Sequence, residues 1–316
     1  MRREAYCPIC DEVRGCKESV IQVNHDGISF ELVACDACGI ILRYPSMDQK
    51  RITEYYLSGY NLSNYHNDLE KTFQSMKPIG EHRLMYIERL GLRHNATILE
   101  IGPGSGTLLA MLNSRGYSVV GVEPDQVAAT WLKEEKQLNV HKGFFEELLI
   151  EGMLEQYVGH FDLVVATHVL EHIPKPVEFL RNLRRLSIPG GRLFVEVPNV
   201  LRPYSDGWRW EKFCDPGHLY YYSPSTLKHV LRNAGYEAES MTTDEFAPYF
   251  PLFCVAKAGS GIDASLSRPE GAIELGLVQK AWRRFIIWHY LYCRPRRKLR
   301  SLLRRVTGAR ACSIVT

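Results

Sequence analysis

The chain has 316 residues, 45% hydrophobic and 24% charged, with nine cysteines. That is ordinary globular composition, enough for one sizeable core plus small attachments. The opening MRREAYCPIC has no apolar h-region, so no signal peptide is expected, and the densest late apolar run, FIIWHYLYC (Phe285 to Cys293), falls short of the about 20 residues a bilayer span takes. A cytoplasmic protein is expected. The net charge of +3 conceals an asymmetry: eleven of the 39 basic residues and no acidic one follow Glu274. The body is therefore mildly acidic, and the basic tail points to an anionic surface, membrane or nucleic acid.

Residues 1–45 carry two C-x-x-C knuckles, Cys7 with Cys10 and Cys35 with Cys38. In a cytosolic chain such pairs mean metal more often than disulfides. VIQV and FELVAC read as strands around an NHDG turn, a hairpin that would bring the knuckles together. Four thiolates make a tetrahedral structural zinc ribbon with no open position for catalysis. Residues 46–94 read as a mostly helical lid or linker, with Leu84, Ile87 and Leu90 on one face.

From 95 to 258 strands and helices alternate. ATILEI, SVVGVEPD, a weaker VHKG, FDLVVATHV and GRLFVEVPN are the strands. TLLAMLNSRG, QVAATWLKEEKQ, PVEFLRNLRRLS and SPSTLKHVLRNAG are the helices, and YEAESMTT with FPLFCVAKA could close the sheet as a strand pair. The alternation predicts a doubly wound α/β sheet. Residues 259–268 read as a linker, and 259–316 as linker plus tail. In the tail Leu299, Leu302, Leu303 and Val306 share one face of a basic amphipathic helix, with Trp282, Phe285, Ile286 and Trp288 adding apolar weight upstream.

The stretch LEIGPGSG turns straight out of the first strand of this domain. Glycines there allow a tight turn and a close backbone approach to a ligand. Gly102, Gly104 and Gly106 make G-x-G-x-G, but Thr107 stands where the dinucleotide fingerprint needs its last glycine, and no G-K-[ST] follows. Glu100, two residues before Gly102, disfavours a phosphate and suits a cationic group. Glu123, 21 residues after Gly102, ends the second strand, where a carboxylate binds ribose hydroxyls. Ribose, no pyrophosphate and a zwitterionic remainder describe S-adenosylmethionine.

ILEIGPGSG, Glu123 in GVEPD, FDLVVATHVLEHIPKP and IPGGRLFVEVPN, in that order, resemble the class I S-adenosylmethionine-dependent methyltransferases over residues 95 to 258. The resemblance implies a Rossmann-like sheet of seven strands with a reversed last strand. It implies that Gly102, Gly104 and Gly106 wrap the cofactor, that Glu123 holds the ribose and that Glu100 meets the methionine amino end. Phe145 and Glu146 in FFEEL would lie near the adenine, and Thr167 and His168 near the cofactor.

THVLEHIP holds His168, Glu171 and His172, an H-x-x-E-H pattern also seen in one class of zinc peptidases. A strand end at His168 is incompatible with that helical site. Three readings stay open. Glu171 and His172 brace the helix start; or His168, His172 or His218 is the general base a hydroxyl acceptor needs; or Glu171, His172 and His218 bind a divalent metal. Some RNA-end and quinone-precursor methyltransferases have a similar E-H pair, with Glu where this chain has His168. Further on, DGWRWEKFCDPGHLYYYSPSTL is expected to roof the acceptor, with Trp208 and Trp210 as contacts and His218 second to His168 as base.

A zinc ribbon before this core, with the H-x-x-Y-Y-S-P-x-T-L run, resembles bacterial glycan and deoxysugar-pathway methyltransferases. It implies transfer of a methyl group to a hydroxyl of a saccharide or similar glycan precursor. The basic tail would dock the enzyme peripherally on the inner face of an anionic membrane. The rivals are an RNA methyltransferase and an inactive cofactor-binding or membrane-docking module.

Overall fold

The computed structural model describes residues 3–25, 27–55, 68–203, 213–243, 251–259 and 271–288. Their centre is a seven-stranded sheet built from β5 (Thr97–Ile101), β6 (Ser118–Glu123), β7 (Val140–Lys142), β8 (Phe161–Thr167), β9 (Ser187–Val197), β11 (Tyr236–Thr243) and β12 (Leu252–Ala258). The spatial order is β11-β12-β9-β8-β5-β6-β7. The five strands from β7 to β9 run parallel, while β12 is antiparallel to both β9 and β11. This is the doubly wound sheet with a reversed last strand. β8, FDLVVAT, is buried along its whole length, as an unbroken apolar run in a central parallel strand requires.

Helices cover both faces: α4 (Thr107–Ser114), α5 (Gln126–Glu134), α6 (Phe145–Ile150), α7 (Pro176–Leu186) and α8 (Pro224–Asn233). Their starts are written locally. Asp125 accepts from the Ala128 amide to cap α5, and Ser223 and Thr226 form a capping box on α8 with Pro224 in the first turn. From the preceding segment come α1 (Gln49–Tyr55), α2 (Leu69–Ser75) and α3 (Lys77–Glu88). Leu84 and Ile87 of α3 are buried with Leu108, Leu109 and Leu112 of α4, so α3 is part of the wall of this unit.

The amino-terminal sheet is an antiparallel meander of β1 (Arg3–Cys7), β2 (Glu12–His25), β3 (Ile28–Cys35) and β4 (Ile41–Tyr44). Its fifth strand comes from far along the chain. β10 (Tyr220–Tyr221) pairs antiparallel with β4, Tyr220 opposite Leu42 and Tyr221 opposite Ile41. The expected VIQV and FELVAC hairpin is present, with the first strand longer than its apolar run. The final described helix, α9 (Gly271–Trp288), packs Val278 and Trp282 into a core with Phe30, Phe213 and Tyr221. Trp282 is 3% exposed, its ring 5.5 Å from that of Phe213. It is spent on the fold, so the apolar weight that Trp282 was expected to add to the tail's amphipathic face is buried in this core. Among the described residues no helix is long and apolar enough to cross a membrane. The amphipathic stretch around Leu299 to Val306 lies outside the described residues.

Gly106 caps the start of α4 with φ +70°, and a Cβ there would sit 2.1 Å from Leu132 Cδ2 on α5. Gly106→Ala therefore combines a left-handed alanine with overpacking, a loss of about 2–4 kcal/mol. Urea unfolding measures it, and a loss below about 0.5 kcal/mol would contradict the packing described.

Candidate functional site

The strand order reverses between β5 and β8, and the carboxyl ends of these strands open the crevice where doubly wound sheets bind ligands. The loop leaving β5 turns through Gly102, Gly104 and Gly106 at φ +64°, +55° and +70°. Only glycine takes three such values in five residues without strain. Glu123, at the end of β6, accepts the Gly104 amide on Oε2 and the Asp125 amide on Oε1, both at 2.8 Å. Burial pushes its pKa up to about 7 against those bonds. Glu100 is buried, and its Oε2 has no hydrogen-bond partner among the described residues. Burial, with Glu123 adding and Arg83 opposing, pushes it up to about 8. A buried carboxylate lacking a donor is the feature a cationic amino group would satisfy. This half of the crevice therefore fits S-adenosylmethionine.

Across the crevice a chain of alternating charges is buried. Arg83 of α3 donates Nε and Nη2 to the two carboxylate oxygens of Glu196 at 2.6 and 2.8 Å. His168, just past β8, lies between two acids: Nε2 is 3.0 Å from Glu196 and Nδ1 3.0 Å from Glu171. Desolvation lowers the His168 pKa, but the two carboxylates outweigh it and raise it to about 9. His168 is thus an imidazolium donating both N–H groups. Arg83 and His168 likewise outweigh burial at Glu196, holding it at about 2. The backbone of His168 is left-handed, at φ +54°, and its amide donates to the Glu196 carbonyl. Thr167 is directly opposite Glu196 in the β8–β9 register.

Glu171 and His172 lie on a single 3-10 turn (Leu170–His172), all buried. His172 Nδ1 is 3.0 Å from the Gly217 carbonyl and His218 Nδ1 is 3.1 Å from the Phe213 carbonyl. A carbonyl only accepts, so Nδ1 carries a proton in each ring. The two rings are 4.7 Å apart, and His218 Nε2 is 4.0 Å from Glu171 Oε1. Burial, then His172, lowers His218 to about 4, so this ring is neutral. One ligand atom each from Glu171, His172 and His218 lie within 4.8 Å of one another, and Glu171 Oε2 is a buried oxygen with no hydrogen-bond partner among the described residues. These three could hold a divalent cation.

The four knuckle cysteines are all buried and unbridged. Cys7 and Cys38 sulfurs are 3.4 Å apart, Cys10 and Cys35 3.9 Å, and the Cys10 amide points at the Cys7 sulfur at 3.5 Å. A tetrahedral zinc thiolate site with ~2.3 Å bonds sets sulfurs ~3.8 Å apart, so the donor set and spacing fit zinc.

The structure thus places Glu100, Gly102, Gly104, Gly106, Glu123, Thr167 and His168 at or just past the carboxyl ends of β5, β6 and β8, and gathers His172 and His218 with Glu171. Phe145 is placed otherwise: it is 3% exposed and packs edge-on against Phe179 of α7 at 5.2 Å, as a core residue. Glu146 beside it is half-buried, its pKa raised by burial. Tyr220, Tyr221 and Tyr222 are buried in the fold. Trp208 and Trp210 lie outside the described residues. Arg83 and Glu196 were not singled out in the sequence. The available signals were a lone acid inside LFVEV, and an arginine four residues before the buried Ile87 on a helix.

A family model described as a methyltransferase domain matches residues 69–241, more than half of the chain. The chain belongs to that family and is an S-adenosylmethionine-dependent methyltransferase. It is 26% identical over 207 residues to a ubiquinone biosynthesis O-methyltransferase of Acinetobacter baumannii (strain AYE), covering 60% of this chain and 84% of that protein. Against the protein of the same name from Pseudomonas paraeruginosa it is 31% identical over 133 residues, 42% of this chain and 57% of that one. Among solved structures, the 1,6-didemethyltoxoflavin-N1-methyltransferase of Burkholderia thailandensis, with S-adenosylhomocysteine bound, superposes with a TM-score of 0.50 at 18% identity. It covers 76% of this chain and 99% of that one, which supports the fold.

Glu100 gives a stability prediction. An unfolded glutamate ionises near about 4.3, but the folded chain keeps this one protonated to about 8. Unfolding releases that proton between the two values, so stability falls as pH rises across the window. Glu100→Gln removes this component. Without added cofactor its melting temperature should gain on the parent from pH 5 upward, by roughly 3–10 °C at pH 8. Parallel melting curves across pH 5–9 would show that Glu100 is already ionised.

Proposed function

We propose that the enzyme transfers the methyl group to a hydroxyl of a small saccharide-like acceptor, with His218 as general base. S-adenosylmethionine supplies an electrophilic methyl group when bound. Gly102, Gly104 and Gly106 let the backbone wrap it, Glu123 takes the ribose hydroxyls, Glu100 takes the amino end, and Glu146 and Thr167 line the remainder. The observation that carries the base assignment is the contrast among the histidines. His168 already holds two protons between Glu171 and Glu196, so its role is to orient Glu171. His218 presents a neutral Nε2, with Glu171 4.0 Å away to balance the charge it gains. A weak base suffices, because a hydroxyl oxygen becomes strongly acidic as it accepts a methyl group. His172 backs His218 and tunes it.

The name of the O-methyltransferase relatives supports oxygen as the acceptor atom; the saccharide rests on the amino-terminal knuckles and the tyrosine-rich run. The four cysteines hold a structural zinc in this reading. A second reading uses the same cluster with Glu171, His172 and His218 ligating a divalent cation that polarises the acceptor oxygen. The unpartnered Glu171 Oε2 favours it.

His218→Ala should cut methyl transfer about 100-fold or more while calorimetric affinity for S-adenosylhomocysteine stays within about twofold. Full turnover would remove the base assignment. Radiolabelled transfer into sugar nucleotides, lipid extract or RNA, followed by mass spectrometry of the product, identifies the acceptor; label in RNA alone would overturn the small-molecule reading. The metal reading predicts that dialysis against a chelator abolishes turnover and that Mg²⁺, Mn²⁺ or Zn²⁺ restores it. Unchanged turnover at a cation content below one per chain, beyond the four-cysteine site, rules it out.

A further inference from the structure

The acceptor side of the site is assembled from two sheets. Glu171 and His172 follow β8 of the seven-stranded sheet. His218 stands two residues before β10, which is the fifth strand of the cysteine-knuckle sheet. The peptide groups of Leu219 join them. The Leu219 carbonyl accepts from the Arg43 amide of β4 at 2.9 Å, and the Leu219 amide donates to the Glu171 carbonyl at 2.8 Å. β4 begins three residues after Cys38, and the Cys35 amide donates to the Ile40 carbonyl at 3.0 Å. A second tie runs from Asn233 of α8, whose Nδ2 donates to the Ile9 carbonyl inside the first knuckle at 2.8 Å. A third is Tyr220 Oη, donating to the Pro174 carbonyl past the 3-10 turn at 2.7 Å. The four cysteines share one buried apolar core with Leu170, Leu219, Tyr220 and Tyr222. That core also reaches Leu99 and Ile101 of β5 and Val120 and Val122 of β6, but the strand pairings of β5 and β6, which carry the cofactor side, lie wholly in the other sheet, and the hydrogen bonds traced from the knuckles do not run to them.

We propose that the Cys7, Cys10, Cys35 and Cys38 module is a positioning element of the active site: metal on the four thiols fixes β4, β4 fixes β10, and β10 holds His218 against Glu171 and His172. The module is then neither an independent substrate-binding domain nor a mere anchor for the amino terminus. Release of the metal frees the loop between Cys35 and Cys38, and with it the strand on which His218 depends. The cofactor side keeps its geometry. This rests on His218 acting in the proposed transfer, and the experiment separates the two.

The test uses the full chain, zinc-loaded, chelator-depleted and as Cys10→Ser and Cys10→His, the last retaining a zinc-ligating side chain. Hydrogen exchange of peptides covering 41–44 and 217–222 is compared with those covering 97–101 and 118–123. Zinc content, S-adenosylhomocysteine binding and methyl transfer are measured on each form. Depletion and Cys10→Ser should speed exchange at least tenfold in 41–44 and 217–222, spare the other two peptides, keep S-adenosylhomocysteine affinity within about twofold and lower turnover at least tenfold. Cys10→His should restore zinc, protection and turnover together. Unchanged protection of 217–222 in metal-free protein would overturn the proposal. So would loss of protection in all four peptides, which would make the metal a requirement of the whole fold. If exchange behaves as expected but His218→Ala keeps full turnover in the loaded enzyme, the base assignment fails and the structural coupling stands.

Discussion

The structure of the site depends on one buried run of charges: Arg83, Glu196, His168 and Glu171, alternating in sign. Removing such groups from water costs several kcal/mol each unless every charge finds a partner of good geometry. Here each does. Arg83 grips both oxygens of Glu196, and His168 uses both ring nitrogens on two acids. The left-handed backbone of His168 follows from this demand, since the ring has to sit between carboxylates from β9 and from the 3-10 turn. A strained φ of this kind costs on the order of 1 kcal/mol and persists where its surroundings over-determine it.

That run also explains why a helix upstream of the sheet belongs to the catalytic unit. Arg83 is the cation on which Glu196 relies, and it stands close enough to Glu100 to oppose the rise in that group's pKa. One arginine from α3 therefore touches both halves of the crevice electrostatically. The apolar face of α3 against α4 holds it there. The cofactor side is left with two buried carboxyl groups, Glu100 and Glu123, whose ionisation burial opposes and a ligand bearing positive charge would favour. The acceptor side is internally neutralised down to Glu171.

The repeating parts of this architecture were legible in the sequence. Alternating strand and helix patterns, the glycine turn after ATILEI, and Glu123 in register are local signals, and each reports a backbone or contact requirement within about twenty residues. What escaped were the long-range partnerships. Nothing near Arg83 announces Glu196, 113 residues away. Phe145 carried no local mark that it would pack into the core against Phe179. The tyrosine run was expected within a roof over the acceptor, but β10 pairs with β4 and the three side chains pack into two apolar cores. Trp282 was grouped with the basic tail because it lies just upstream of it; the hollow it fills is made by Phe213 and Tyr221, from a different part of the chain.

The histidines show the same limit. The family resemblance put His168 near the cofactor, and it was expected as the first candidate for the base. A base, however, has to be able to gain a proton, and His168 is held as a cation by two acids. Were it to act as the base, its neutral form would leave Glu171 and Glu196 without the charge that separates them. His218 has the opposite surroundings: apolar burial and a neighbouring imidazole keep it neutral, a backbone carbonyl fixes its tautomer, and Glu171 lies where positive charge would develop. Methyl transfer to an oxygen moves positive charge toward the acceptor and then onto a proton. The chain of charges ends in a carboxylate, Glu171, 4.0 Å from Nε2 of the neutral His218, so in the proposed transfer the charge that His218 gains would continue the alternation.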